Sequence, residues 1–139
     1  MLVPHAAALG LDFIRLVAPT TDAARLPLVL DGSSGFVYYV SITGITGTRS
    51  ATAESLAAAM PRVRAATTLP IAIGFGVRTP AQAAEAVRVA DAAVVASALL
   101  DILAASLDEH GRAAPDTAQR VLDQVRALAD GVRHARVPA

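Results

Sequence analysis

The chain has 139 residues, with 12 Lys and Arg against 12 Asp and Glu, so its formal charge is zero and no net field recruits nucleic acid or an acidic membrane surface. That length suits one domain with a real core and is too short for two, and 54% hydrophobic against 17% charged residues excludes a disordered chain. The absence of cysteine removes disulfides, thiolate nucleophiles and cysteine-type zinc sites, and fits a cytoplasmic protein.

No apolar run approaches the ~20 residues of a membrane helix. The stretch from Met1 to Leu9 lacks the basic and long apolar regions of a signal peptide and reads as the tail of a helix begun earlier. Asp12 to Val17 is a β-type run closed by Ala18-Pro19-Thr20-Thr21. Thr20 or Thr21 can cap a helix through Leu30, which Pro27 should bend or shorten. Gly35 to Ser41 is the best strand in the chain, followed by a loop over 42–49 and a helix from about Thr52 to Ala66, with Pro61 as a disturbance. The third strand is expected over Pro70 to Gly76, and Thr79-Pro80 supplies a cap and first-turn proline for a helix through Val89. Ala92 to Ala96 is the fourth strand, and Ser97 opens a short helix to about Leu107. After His110-Gly111-Arg112, a last helix begins near Pro115. Val121, Leu122, Val125, Leu128, Ala129 and Val132 form one apolar face on it at helical spacing, expected to be core packing.

Four apolar strands, each followed by a helix, imply a parallel α/β sheet. A complete (β/α)₈ barrel takes ~250 residues, and half a barrel or a small doubly wound sheet would both fit the periodicity.

The chemistry-bearing clusters all fall just after strands, the end where parallel α/β folds bind ligands. Gly44-Ile45-Thr46-Gly47 follows the second strand, Gly74-Phe75-Gly76 ends the third, and Ala96-Ser97 opens a helix after the fourth. Glycine backbone lets an anion approach N–H groups, and a helix N-terminus adds positive potential. Each cluster alone is explained by ordinary turn and cap chemistry. Three at the same end of successive units favour a small anion cradle. His5, His110 and His134 have no metal-ligand spacing and read as surface groups, and Asp101 and Asp108-Glu109 read as solvated helical charge. Asp12 and Arg15 fit a structural pair better than a site remnant. No nucleophile triad and no paired carboxylates stand at the strand ends.

Gly35 to Ser41 continuing through Thr43-Gly44-Ile45-Thr46-Gly47 resembles the sixth strand and loop of the tryptophan synthase alpha chain family. Leu69-Pro70 to Val77 with Thr79-Pro80 is similar to its seventh strand, Ala92 to Leu99 to its eighth strand and phosphate helix, and Leu11 to Thr21 to its fifth strand. The resemblance spans essentially the whole chain. It implies that residues 1–139 form one half-barrel domain, the C-terminal four βα units of a (β/α)₈ TIM barrel.

The family's activity, by resemblance, is a lyase step of tryptophan biosynthesis. Indole-3-glycerol phosphate is cleaved to indole and glyceraldehyde 3-phosphate without cofactor or metal, and indole passes to the beta chain. Gly47, Gly76, Ala96 and Ser97 would then hold the substrate phosphate, and Phe75 and Val94 would wall the indole pocket. Tyr38 would hydrogen-bond the acid–base machinery, or be a plain core aromatic. Thr46 would orient a carboxylate from the other half barrel, or only stabilise its own loop. Ala96 stands where the family usually has glycine. The family's catalytic Glu and Asp lie in the first half of the barrel and match no position here, so the resemblance implies a fragment inactive by itself. Its open edges would then pair with another half barrel, or mark a truncated product. The alternative is a noncatalytic phosphate-binding half-barrel module; the Tyr38-Tyr39 strand and the Gly44 to Gly47 loop argue against an epimerase or isomerase relative.

Overall fold

The computed structural model describes residues 2–41, 52–74 and 76–135. Its elements, in chain order, are α1 (Val3–Ala8), β1 (Arg15–Val17), α2 (Leu26–Leu30), β2 (Val37–Val40), α3 (Ala53–Ala66), β3 (Ile71–Gly74), α4 (Pro80–Val89), β4 (Ala92–Ala93), α5 (Ser97–Ala104) and α6 (Thr117–Ala135).

The four strands form one parallel sheet in the order β1-β2-β3-β4. Sequential order decides between the two architectures left open by the sequence. A doubly wound sheet reverses direction and places helices on both faces; this sheet never reverses, as in a barrel wall. Leu16, Tyr38, Ala72 and Ala92 stand level across it, as do Val17, Tyr39, Ile73 and Ala93. Side chains alternate between faces along each strand. Val17, Val37, Tyr39, Ile71 and Ile73 pack under α2, α3 and α4, against Leu26, Leu30, Leu56, Met60, Val63 and Ala86. The other face carries Leu16, Tyr38, Ala72 and Ala92, and Leu16 at its edge is 58% exposed. One face is a finished core; the other is exposed at its edges, Leu16 and Ala92, and buried at Ala72.

Local chemistry explains the helix limits. Thr52 accepts the Ser55 amide at 3.2 Å and caps α3, and Thr79 and Gln82 form a capping box on α4. Pro61 does not interrupt α3: it and Ala57, whose carbonyl loses its intrahelical donor, both face solvent. The segment before α2 differs from expectation. The Thr21 hydroxyl accepts from the Ala18 amide at 3.2 Å, turning back to the strand, and the Asp22 carboxylate accepts from the Arg25 amide at 2.8 Å. The helix therefore starts only at Leu26, with Pro27 in its first turn, where a missing N–H costs nothing.

At the N-terminal end of the sheet, the Asp91 carboxylate accepts from the Ile71 amide at 2.7 Å and pairs with Arg64 of α3 at 2.7 Å. Arg15 and Asp12 are not joined to each other among the described ion pairs. Arg15 lies over the Phe13 ring and donates to the Asp31 carbonyl.

The α6 stripe is only partly core. Leu128 is buried and Val121, Ala129 and Val132 half-buried, while Leu122 and Val125 are 49% and 41% exposed. The helix leans on α4 and α5 along one flank, with Leu128 and Val132 meeting Ala83 and Leu99. Gly131 makes this approach possible, since a Cβ there would lie 2.6 Å from the Pro80 carbonyl oxygen.

Candidate anion-binding site

Because all four strands are parallel, their C-terminal ends lie along one rim. Ser41 continues β2, its amide and hydroxyl both donating to the Gly74 carbonyl at 3.1 and 2.8 Å. Gly74 stands level with Val40, and a Cβ on it would overlap the Tyr38 hydroxyl. The phenol of Tyr38 therefore lies over the Gly74 backbone, on the open face and at the rim. Tyr39, the next residue, points into the helix-covered core. The adjacent tyrosines divide between the two faces.

Burial raises the pKa of both phenols above the ordinary tyrosine value, with Arg62 partly opposing the shift at Tyr39. Both stay protonated at neutral pH, so Tyr38 keeps a donor O–H at the rim. A folded-state value above the unfolded one contributes stability that is fully present below pH ~10 and lost as pH rises through the folded value. Alkaline difference spectroscopy at the phenolate band should show ionisation delayed past that of free tyrosine and accompanied by loss of ellipticity. Two tyrosines titrating normally in a folded chain would contradict this.

Beyond β3, Gly76 has φ +83°, a left-handed conformation that glycine adopts without strain. Its neighbour Arg78 pairs with Asp101 of α5, and the Gln124 side chain of α6 donates to the Arg78 carbonyl at 3.2 Å. This fastening of the strand-end loop to two helices corrects the reading of Asp101 as plain solvated charge. The signal available in sequence was an arginine two residues past a strand-end glycine. Asp108 is likewise a loop organiser, accepting from the His110 and Arg112 amides at 2.9 and 2.8 Å.

The β4 ladder runs on through the Val94 amide, which donates to the Ile73 carbonyl at 2.8 Å. Ala93 and Val95 pack toward the helices, which leaves Val94 for the open face. Ala96 then precedes α5, and its carbonyl accepts from the Leu99 and Leu100 amides. The geometry of a first helical turn leaves the Ser97 and Ala98 amides without an intrahelical acceptor. Whereas Thr52 and Thr79 cap α3 and α4, no side chain among the described residues caps α5.

Ala96 has φ −127°, so its methyl group carries no left-handed strain. Ala96→Gly should therefore leave the denaturation midpoint nearly unchanged, a shift of at most about 0.5–1 kcal/mol from backbone entropy. Stabilisation by more than that would show hidden strain.

Of the sequence-derived site residues, Gly76, Val94, Ala96 and Ser97 lie just past the ends of β3 and β4, and Tyr38 lies within β2 with its phenol reaching the level of Gly74. Thr46, Gly47 and Phe75 lie outside the described residues. His5, His110 and His134 are exposed, and no group of metal-ligating side chains occurs among the described residues. No described helix is long and apolar enough to cross a membrane.

Four sequential parallel βα units, side by side in one sheet, define half of a (β/α)₈ barrel. Residues 1–133 match the family model described as tryptophan synthase alpha chain, and the chain belongs to that family. It is 68% identical over its full length to the tryptophan synthase alpha chain of Granulibacter bethesdensis, and covers 50% of that protein. Identity to the corresponding chain of Gluconacetobacter diazotrophicus is 70% over 136 residues, again covering 50% of the relative. Among solved structures, tryptophan synthase of Mycobacterium tuberculosis in space group F222 superposes with a TM-score of 0.74 at 35% identity, over 94% of this chain and 46% of that one. The tryptophan synthase A-subunit of Pyrococcus furiosus gives 0.70 at 25% identity, over 92% and 49%. The chain spans about half the length of the relatives it matches, and the half it spans is a partial TIM barrel.

Proposed function

We propose that these units supply the phosphate-holding half of an indole-3-glycerol phosphate lyase of tryptophan biosynthesis. Gly76, Ala96 and Ser97, with Gly47, hold the substrate phosphate, and Phe75 and Val94 border the indole. The reading rests on one observation above all: left-handed Gly76 and the uncapped N-terminus of α5 occupy neighbouring strand ends. An anion there accepts backbone N–H bonds and meets the positive end of a helix.

Retro-aldol cleavage of this substrate needs a proton delivered to the indole ring and others removed from the glycerol hydroxyl and the indole nitrogen. No carboxylate at these strand ends matches the family's Glu and Asp. Their place is the other half of the barrel, toward which Tyr38 presents a protonated phenol and Thr46 a hydroxyl. The beta chain is the proposed acceptor of indole.

Calorimetric titration with glycerol 3-phosphate should give saturable binding, and glycerol should give none. Gly76→Ala, forced into an unfavourable backbone region, should weaken the phosphate about fivefold or more. A folded chain that takes up no glycerol 3-phosphate would refute the phosphate site.

A further inference from the structure

The two parts of the proposed phosphate cradle, the loop at left-handed Gly76 and the first turn of α5, are separate pieces of chain. Backbone N–H groups from two pieces converge on one anion only when their separation is fixed by contacts outside the ligand. Arg78, two residues past Gly76, is tied to three helices at once. Its amide donates to the Gln82 side chain of α4 at 2.8 Å, and its carbonyl accepts from the Gln124 side chain of α6 at 3.2 Å. Its guanidinium pairs with the Asp101 carboxylate of α5. Asp101 stands four residues beyond Ser97, one turn along α5 and on the same side of that helix.

The backbone of Arg78 is therefore held against α4 and α6 while its side chain reaches α5. The Arg78 and Asp101 side chains are 52% and 61% exposed, and an ion pair that open adds little to the stability of a fold. Helix α5 also has an apolar anchor of its own, Leu99 against the cluster of Ala83 and Leu128. The ion pair is thus a minor fastening for the fold, yet it directly joins the two pieces that would share the anion.

We propose that Arg78 and Asp101, with Gln124 behind them, are positioning residues that set the span between Gly76 and the start of α5, and so tune affinity for a phosphate monoester at the site proposed above. Charge alone predicts the opposite of this. Asp101 lies about 6 Å along the helix axis from Ser97, so neutralising its carboxylate would by charge alone tighten an anion. Positioning requires the reverse, because Asp101→Asn releases α5 from the loop.

Calorimetric titration of glycerol 3-phosphate into the chain and its variants separates the two effects. Asp101→Asn and Gln124→Ala should each weaken binding about two- to fivefold, with the circular dichroism spectrum and urea midpoint nearly unchanged. Arg78→Gln should weaken it as well. The double variant R78Q/D101N should bind no more weakly than Arg78→Gln alone, because the two side chains act through one contact. Asp130→Asn, which breaks the Arg133 pair on α6, should leave affinity unchanged. Absence of uptake by the unaltered chain would overturn the phosphate site and the positioning role with it. Uptake by the unaltered chain, with Asp101→Asn binding equally or more tightly, overturns the positioning role alone. So does a double variant as weak as the product of its singles. A loss of affinity matched by a fall in urea midpoint overturns it too, by marking a contact that serves only the fold.

Discussion

Incubated with indole-3-glycerol phosphate, the 139-residue chain should release indole at no more than the background rate, with or without a beta chain. A positioned acid or base contributes ~10²–10⁴ each, so loss of a pair removes at least ~10⁴ from the rate. The fall is steeper than binding alone would suggest, because a phosphate held at the proposed site of Gly76 and α5 would anchor ground state and transition state alike. Supplying the first four βα units as a separate chain gives the informative comparison. Restored indole release would identify a split lyase. Unchanged background, with glycerol 3-phosphate still bound, would instead favour a noncatalytic phosphate-binding half barrel. Substantial release by the chain alone would contradict the assignment of acid–base catalysis to the other half.

Gly131→Ala should produce the largest stability loss of any single methyl addition in the helix layer. The added Cβ would sit 2.6 Å from the Pro80 carbonyl oxygen, a backbone atom in the first turn of α4. Two effects compete. Alanine in a helix interior gains ~1 kcal/mol over glycine by propensity, whereas overpacking costs about 1–3 kcal/mol and occasionally more. Overpacking should win, because α4 is pinned at that turn by its Thr79–Gln82 capping box and cannot yield cheaply. Urea denaturation should show a lower midpoint at constant slope. A raised midpoint would mean that α6 slides along α4 at little cost.

Much of the architecture was legible in the sequence because its signals are local. The Thr79-Pro80 cap and the β-branched and aromatic run within Gly35 to Ser41 depend on neighbours within a few residues, and both appear in the structure, the strand over Val37–Val40. Strand order is not local. The choice between half barrel and doubly wound sheet turned on which strand lies beside which, and periodicity carries no information on that. Hydroxyl and carboxylate partners were equally hidden: Thr21 serves the Ala18 amide rather than a helix, and Asp101 meets Arg78 across 23 residues. The exposure of Leu122 and Val125 has the same origin, since a helical stripe records which side is apolar and not how much of it a neighbour covers. At the rim, residue types at strand ends marked Gly76, Ala96 and Ser97, but only the backbone angles distinguish the glycine that must be glycine from the alanine that need not be.

The Asp91 bridge sits at the opposite end of the sheet from this rim. Its carboxylate ties the start of β3 to α3 through Ile71 and Arg64, a strand's length away from Gly76 and α5. Changes at the two ends are therefore separable by inheritance: a lineage can rework the Asp91 bridge without touching Gly76 or the start of α5, and can alter those rim residues with the bridge left in place.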